Sequence, residues 1–176
     1  FETLNATITK AIKEAAAVVA EQFNAPLIVL HDKGLTAHDA TVVAEILKSN
    51  TSVTEVDLGG CGIGDDGAAA LAEALRSNTS LRGVYLNGNK EIGDEGAKAL
   101  AEALKVNATV ETLSLVRCGI GDDGAAALAE ALRSNTSLMT LYLLDGNGIS
   151  GQGEQLLRDA VAGRVGFELP YDNGEE

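Results

Sequence analysis

The sequence predicts an α/β solenoid, a single domain in which a short strand and a helix alternate in repeating units. The 21 residues 61–81 recur letter for letter as residues 118–138. Apolar anchors also recur in register, since Leu81 follows Val53 by 28 residues and Val110 follows Leu81 by 29. Each unit joins a run with the apolar alternation of a strand to an Ala-rich run with helical spacing. Self-similarity at a period of about 20–50 residues is typical of repeat architectures, in which each unit packs on its neighbours.

Each predicted unit consists of a strand, a turn, a helix and a second turn. The stretches VTEVDLGG and VETLSLVR alternate apolar and polar residues, and in DDGAAALAEALRSN the side chains of Leu71 and Leu75 share one helical face. We expect Asp65 or Asp66 to cap the N-terminus of its own helix, and Asn78 to end that helix in a left-handed conformation. Because helices are wider than strands, stacked units place a parallel sheet on the inside and the helices outside.

The two ends of the chain are predicted to cap the stack. Residues 1–24 place apolar side chains along one stripe of a helix, which predicts an N-terminal capping helix. About five repeats then fill residues 25–162. In residues 163–176, apolar residues alternate with glycine or polar residues before Pro170, which predicts a short capping strand followed by a tail.

The repeat unit itself resembles a known family. The pattern L-x-x-L-x-L-x-x-(N/C)-x-I-G-D-(D/E)-G-A-x-A-L-A-E-A-L runs through residues 25–162, for example in LRGVYLNGNKEIGDEGAKALAEALKVN. It resembles the leucine-rich repeat of the ribonuclease-inhibitor type. The resemblance implies a right-handed horseshoe segment with a parallel inner sheet and outer helices. The departures are extra residues near Lys90 and Asp145, and Ser-Gly-Gln in place of Gly-Asp-Asp at residues 150–152.

Two motifs that imitate ligand sites are explained by the repeat. Three G-x-G-x-x-G matches, starting at Gly62, Gly119 and Gly146, lie between a predicted strand and helix, as in dinucleotide-binding sites. Two of them carry paired Asp residues where a pyrophosphate would lie, and we interpret all three as turns. The acidic pairs of successive repeats lie side by side rather than converging on one point, which disfavours calcium. We therefore predict no cofactor and no metal.

The cysteines and histidines are predicted to have structural or surface roles. Cys61 and Cys118 occupy equivalent positions with one repeat between them, so their Cα atoms should lie about 10 Å apart, whereas a disulfide needs less than about 7 Å. We expect two free thiols in a buried ladder, with Asn89 between them. His31 and His38 fall on opposite sides of a turn and are not expected to form a metal pair. Since no Ser/His/Asp or Cys/His arrangement emerges, we predict that the protein is not an enzyme.

The charge and the apolar pattern exclude several classes of partner. A net charge of −13 disfavours nucleic acid and anionic membrane surfaces, both of which require clustered Lys and Arg. No run approaches the roughly 18 apolar residues that a membrane span needs. The N-x-[ST] sequons after the helices are interpreted as turn signals. We expect a cytoplasmic monomer and, because the chain begins with Phe1, a fragment or processed chain whose targeting signals would lie upstream.

Function is expected at positions that vary between repeats, on the inner side of the sheet. We define the concave face as four stripes of strand-flanking positions. The first two are Leu27, Glu55, Gly83, Thr112, Thr140 and Val29, Asp57, Tyr85, Ser114, Tyr142. The third is His31, Gly59, Asn87, Val116, Leu144, and the rim is Asp32, Gly60, Gly88, Arg117, Asp145. Tyrosine and arginine dominate binding hot spots, and exposed apolar side chains, expected here at Val116 and Leu144, often mark interfaces.

We therefore predict a protein-interaction module or scaffold that binds a partner protein on the concave face. The predicted contact residues are Glu55, Asp57, Tyr85, Asn87, Ser114, Val116, Arg117, Tyr142 and Leu144. The resemblance also leaves three alternatives open. One is an activator of small GTPases, with Arg82 and Arg117 as candidate residues. The others are a relative of the actin pointed-end capping proteins and the sensor region of an innate-immune receptor.

Overall fold

The computed structural model describes residues 27–31 and 37–170, and in this part of the chain five strands alternate with five helices. The strands are β1 (Leu27–Val29), β2 (Glu55–Asp57), β3 (Gly83–Tyr85), β4 (Thr112–Ser114) and β5 (Thr140–Tyr142). The helices are α1 (Ala37–Ser49), α2 (Asp65–Ser77), α3 (Asp94–Leu104), α4 (Asp122–Ser134) and α5 (Gly151–Ala160). This alternation confirms the predicted α/β solenoid.

The strands form one parallel sheet in chain order, β1-β2-β3-β4-β5. Its register follows the repeat, since Glu55 pairs with Gly83, Gly83 with Thr112, and Thr112 with Thr140. The central residue of every strand is buried toward the helices, and the flanking residues belong to the opposite, concave face; the central residues are Ile28, Val56, Val84, Leu113 and Leu141.

The core lies between the sheet and the helices and is built from the repeated Leu, Ile, Val and Ala positions. In α2, for example, Leu71, Ala74 and Leu75 are all buried, as their spacing predicts. Each fully buried Leu or Ile side chain contributes about 1.5–3 kcal/mol by leaving water. Each helix packs against the next one along the chain, so every repeat buries its apolar face mainly against its neighbours.

The asparagine after each central helix stabilises the following turn through its side chain rather than through its backbone conformation. The prediction of a left-handed stop at Asn78 is wrong, because its φ of −72° and ψ of 135° are extended. Its Oδ1 accepts from the backbone N–H groups of Ser80 and Leu81 at 2.9 and 2.7 Å. Its Nδ2 donates to the carbonyl of Leu47 at 2.6 Å, in the preceding repeat. The equivalent Asn107 and Asn135 are likewise buried and bridge repeats in the same way.

The first acidic residue of each of α2, α3 and α4 contacts the start of the helix in the next repeat, so the prediction that Asp65 or Asp66 caps its own helix is wrong. The N-cap of α2 is Gly64, which offers no side-chain acceptor. The carboxylate of Asp65 instead accepts from the backbone N–H groups of Gly93 and Gly96, at 3.0 and 2.6 Å, where α3 begins. Neighbouring helices start side by side, so this carboxylate reaches the free N–H groups of the next helix.

Beneath the strand-to-helix turns, equivalent positions of successive repeats form a buried ladder of side chains that contains both cysteines. Cys61 and Cys118 are buried and, among the described residues, neither forms a disulfide, as predicted; their Sγ atoms donate to the carbonyls of Leu30 and Leu86 at 3.0 and 3.1 Å. Burial raises the pKa of Cys118 to about 12. Asn89, between them in the ladder, accepts from the backbone N–H groups of Cys61 and Ile63, both at 3.0 Å. Asn147 serves the turn after Cys118 in the same way.

The predicted C-terminal strand is reduced to a single bridge between Thr140 and Glu168. Phe167 and Leu169 pack against the core, whereas Val165 is almost fully exposed. Residues 1–24, where the capping helix is predicted, and residues 171–176 lie outside the described part of the chain. None of the helices in the described part is long and apolar enough to cross a membrane.

Candidate functional site

The parallel register joins the predicted contact residues of the concave face into one surface. Asp57 is paired with Tyr85, Tyr85 with Ser114, and Ser114 with Tyr142, so the second stripe runs without interruption across four strands. In the first stripe, Glu55 lies beside Gly83. The two tyrosines therefore stand two strands apart on one line, at a separation of about 10 Å between their Cα atoms.

The residues of the third stripe are less accessible than predicted. The expectation that Leu144 is exposed is wrong, because this side chain is only 7% exposed and belongs to the core. Ser114, in the second stripe, is also buried at 3% exposure. Each strand ends after three residues, and the alternation of inward and outward side chains does not extend reliably into the following turn. The third stripe is therefore buried at Gly59 and Leu144 and half-buried at Val116.

The accessible part of the predicted set has a defined composition. Glu55, Arg117 and Tyr142 are exposed, while Asp57, Tyr85 and Asn87 are half-buried. The sequence places Leu27 and Val29 in the first two stripes but not in the predicted contact set, and both are exposed in β1. Because both residues are apolar and occupy concave positions, the sequence contained the signal needed to add them to the predicted contact set.

The ring of Tyr85 lies over Gly83 of the same strand, where the absence of a side chain leaves room for it. A Cβ atom at Gly83 would lie 3.0 Å from Cε2 of the Tyr85 ring and 3.1 Å from Cγ of Glu55, so the ring occupies the space above this glycine. Partial burial, followed by the nearby charge of Glu55, raises the pKa of the Tyr85 phenol. At neutral pH this hydroxyl is therefore a hydrogen-bond donor at the surface of the sheet.

Asp57 is fixed at the end of its strand by contacts to the following turn and to the preceding repeat. Its Oδ1 accepts from the backbone N–H of Gly59 at 2.9 Å and lies 3.4 Å from Nδ1 of His31. The His31 ring fills the space beside Gly59, where a Cβ atom would collide with it. Together with Glu55, this carboxylate makes the β2 side of the concave face acidic.

Arg117 is the only non-glycine residue with a positive φ in the described part of the chain, at 56°. The corresponding turn positions of other repeats are Gly60, Gly88 and Gly146, with φ values of 61°, 75° and 64°. The inserted residue near Asp145 makes Gly146, rather than the predicted Asp145, the equivalent of Arg117 in the last repeat. Nε of Arg117 lies 3.7 Å from Oδ2 of Asp145, and most of its side chain is exposed. Arg82, the second candidate residue of the GTPase-activator hypothesis, is paired with Glu111 at 2.6 Å.

The concave face combines side chains of several chemical types. Within residues 27–31 and 37–170, no three His, Cys, Asp or Glu side chains come together in a metal-binding group. His31 lies beside the carboxylate of Asp57 and against Gly59. The concave face instead offers two aromatic rings, an acidic pair, an arginine and two apolar side chains.

Comparison with known proteins agrees with this architecture. A family model described as "Leucine Rich repeat" matches residues 49–72, 77–101 and 106–129. No curated protein sequence matches the chain. A solved structure named leiomodin-1 Actin-Binding Site 2 is 21% identical, covers 88% of this chain and 85% of its own, and gives a TM-score of 0.66. The tropomodulin C-terminal domain from Caenorhabditis elegans is 14% identical, with coverages of 87% and 90% and a TM-score of 0.69.

Proposed function

We propose, from the leucine-rich-repeat solenoid that this chain forms, that it is a protein-interaction module that binds a partner on the concave face and performs no chemistry of its own. The observation that carries this proposal is the difference in variation between two sets of positions in the repeat. The framework positions repeat, in one case as 21 identical residues, whereas the exposed concave positions differ from one repeat to the next. A surface that varies on a constant framework is expected of a recognition site.

The tyrosines supply the expected centre of binding energy. Tyrosine side chains are enriched among residues whose truncation costs most affinity, because they bury a large area and offer a hydroxyl. The Tyr85 ring already rests above Gly83, so it loses little rotamer freedom when a partner covers it. Exposed Tyr142 on the same stripe, and Leu27 and Val29 at the β1 end, extend the surface that would leave water.

The charge of the module supports a protein partner over other classes. A net charge of −13, with Glu55 and Asp57 on the concave face, repels phosphate backbones and anionic lipids. It favours a partner with a basic contact surface, and electrostatic attraction accelerates such association at low salt. We propose that the module is monomeric by itself and that nucleic acid and membranes are not its partners.

Actin is the partner to test first, because the leiomodin-1 structure with the matching fold is named as an actin-binding site. Purified actin filaments and monomers provide a defined assay. If actin is the partner, the full chain co-sediments with filaments or binds monomers in titration, and Tyr85→Ala with Tyr142→Ala removes that binding. Absence of binding to both forms of actin would discard this partner while leaving the module proposal in place.

The module proposal is tested by partner capture with matched variants of the full chain. The concave variant combines Tyr85→Ala and Tyr142→Ala, and its control combines Val106→Ala and Leu156→Ala, which removes exposed apolar side chains from the helical layer. We expect the concave variant to lose the captured protein and the control to keep it, while both retain the melting temperature of the wild type. Loss of capture only in the helical-layer variant would overturn the proposal.

A further inference from the structure

Arg117 stands at a position where the framework accepts glycine. The 21 residues that follow Arg117 are identical to those that follow Gly60, so the chain contains its own comparison. Both residues adopt the left-handed conformation, with φ values of 56° and 61°. Glycine enters this region freely, whereas a residue with a Cβ atom is strained there. The left-handed turn does not require an arginine, so the reason for this residue is sought in what its side chain contacts.

The surroundings of Arg117 hold its side chain in place and leave its terminal nitrogens accessible. A Cβ atom at Gly146 would collide with Cγ of Arg117, so the aliphatic part of the arginine lies against this glycine. Oδ2 of Asp145 is 3.7 Å from Nε, which is longer than a hydrogen bond. The two terminal nitrogens, Nη1 and Nη2, make no hydrogen bond within the described part of the chain, and the side chain is 67% exposed. By contrast, Nη1 of Arg82 already donates to Glu111.

The concave face is therefore electrostatically polar from one side to the other. Glu55 and Asp57 lie on β2, and Arg117 follows β4, two strand spacings or about 10 Å across the sheet and three residues beyond the position level with Asp57. Among the described residues of the four stripes, Arg117 is the single Lys or Arg. A partner segment that crosses the strands meets negative charge at one end of this distance and positive charge at the other.

We propose that Arg117 binds the carboxylate of an Asp or Glu side chain in an extended segment of the partner, and that this contact fixes the direction of the segment. The guanidinium presents two parallel N–H donors that match a carboxylate. Since an extended chain rises about 3.3 Å per residue, a Lys or Arg about four residues from that acid reaches Asp57 along the diagonal of the concave face. This inference rests on the proposed binding function of the concave face.

The test uses a random dodecapeptide library displayed on phage and selected on the full chain, with the selected sequences then made as synthetic peptides. Their affinities are measured for the wild type, Arg117→Gly and the control Arg133→Gln. The control removes the same charge from the outer surface of α4, where Arg133 pairs with Glu130. Because Arg117→Gly recreates the turn of Gly60, its melting temperature should not fall below that of the wild type.

We expect the selected peptides to carry an Asp or Glu, and Arg117→Gly to weaken their binding by about tenfold or more while Arg133→Gln leaves it unchanged. Changing the peptide acid to its amide should weaken binding to the wild type by a similar factor and have no further effect on Arg117→Gly. The charge-reversed pair, Arg117→Glu with a Lys in place of the peptide acid, should restore binding.

Two failures are distinguishable. If the acid-to-amide change weakens binding equally to the wild type and to Arg117→Gly, the carboxylate contact is overturned. In that case sensitivity of the same peptides to Tyr85→Ala with Tyr142→Ala would keep the concave face as the binding surface. If neither the tyrosine substitutions nor Arg117→Gly changes the affinity of the selected peptides, both proposals are overturned.

Discussion

Removing the side chain of Asn89 should destabilise the solenoid more than removing any side chain of similar size from the concave face. Asn89 is fully buried at 0% exposure and joins two repeats by four hydrogen bonds. It accepts from the N–H groups of Cys61 and Ile63 and donates to the carbonyls of Leu58 and Leu86, at 2.9 and 2.8 Å. The perturbation is Asn89→Ala.

The magnitude follows from the groups that lose their partner. The carbonyl of Leu86 also accepts from Cys118 Sγ, so Asn89→Ala orphans three buried groups: two N–H groups and the carbonyl of Leu58. An unsatisfied buried polar group costs about 1–3 kcal/mol, and at the lower end of this range the loss is about 3–5 kcal/mol. For a chain of this size that corresponds to a fall in melting temperature of roughly 6–20 °C.

Two further variants make the test specific. Asn89→Cys recreates the residue of Cys118, whose thiol donates to the equivalent strand-end carbonyl, so it should orphan only the two N–H groups and give an intermediate loss. Asn87→Ala is the matched control, since Oδ1 of Asn87 is buried without a hydrogen-bond partner; it should change stability by less than about 0.5 kcal/mol.

The assay is urea unfolding of the full chain followed by circular dichroism, with the slope m compared between variants so that partial unfolding of the stack is detected. The expected order of stability is wild type, Asn89→Cys, Asn89→Ala, with Asn87→Ala close to the wild type. A loss below about 1 kcal/mol for Asn89→Ala, or equal losses for Asn89→Ala and Asn87→Ala, would refute the role of the asparagine as a bridge between repeats.

Three other predictions follow from the inter-repeat contacts. Asp94→Ala removes the acceptor of two N–H groups at the start of α4, at 2.7 and 2.9 Å. It should lower the free energy of unfolding in urea by about 2 kcal/mol. The control Asp123→Ala, on the exposed first turn of α4, should lower it by less than half as much. The thiol of Cys118, with its pKa raised to about 12, should resist iodoacetamide at pH 8 in the folded chain, and its contribution to stability should decline as the pH rises above about 8.5; rapid labelling without denaturant would contradict its burial. The hydrogen bonds that Ser150 donates lower the pKa of Asp122, so this contact stabilises the fold above about pH 4 and is lost as the pH falls further; an NMR titration in which Ser150→Ala leaves that pKa unchanged would contradict the assignment.

The repeat period predicted the sheet register and most of the concave face. The recurrence of Val56, Val84 and Leu113 at spacings of 28 and 29 residues places equivalent positions in the same stripe, so the neighbours of Tyr85 follow from the amino-acid sequence alone. The buried thiols followed from the same periodicity, because equivalent positions of alternate repeats are too far apart for a disulfide.

The remaining features depend on distances between side chains and neighbouring repeats, which the repeat length does not specify. A repeated Asp predicts a cap but not which of two adjacent helices it caps, and Asp65 lies nearer to the N–H groups of Gly93 and Gly96. Burial of Leu144 depends on where the strand ends, which the alternation of the sequence does not mark. The orientation of Arg117 against Gly146 joins two repeats that differ by an inserted residue, so the repeat pattern alone could not place it.

Hydroxyl-radical footprinting of the complex between the full chain and its captured partner tests the role of the concave face most directly. Side-chain oxidation is measured by mass spectrometry in the free and bound states at Tyr85 and Tyr142, and at Val106 and Leu156 in the helical layer. The predicted result is protection of both tyrosines with unchanged oxidation at Val106 and Leu156. Protection of the helical layer, with both tyrosines oxidised as in the free chain, would contradict recognition through the inner side of the sheet.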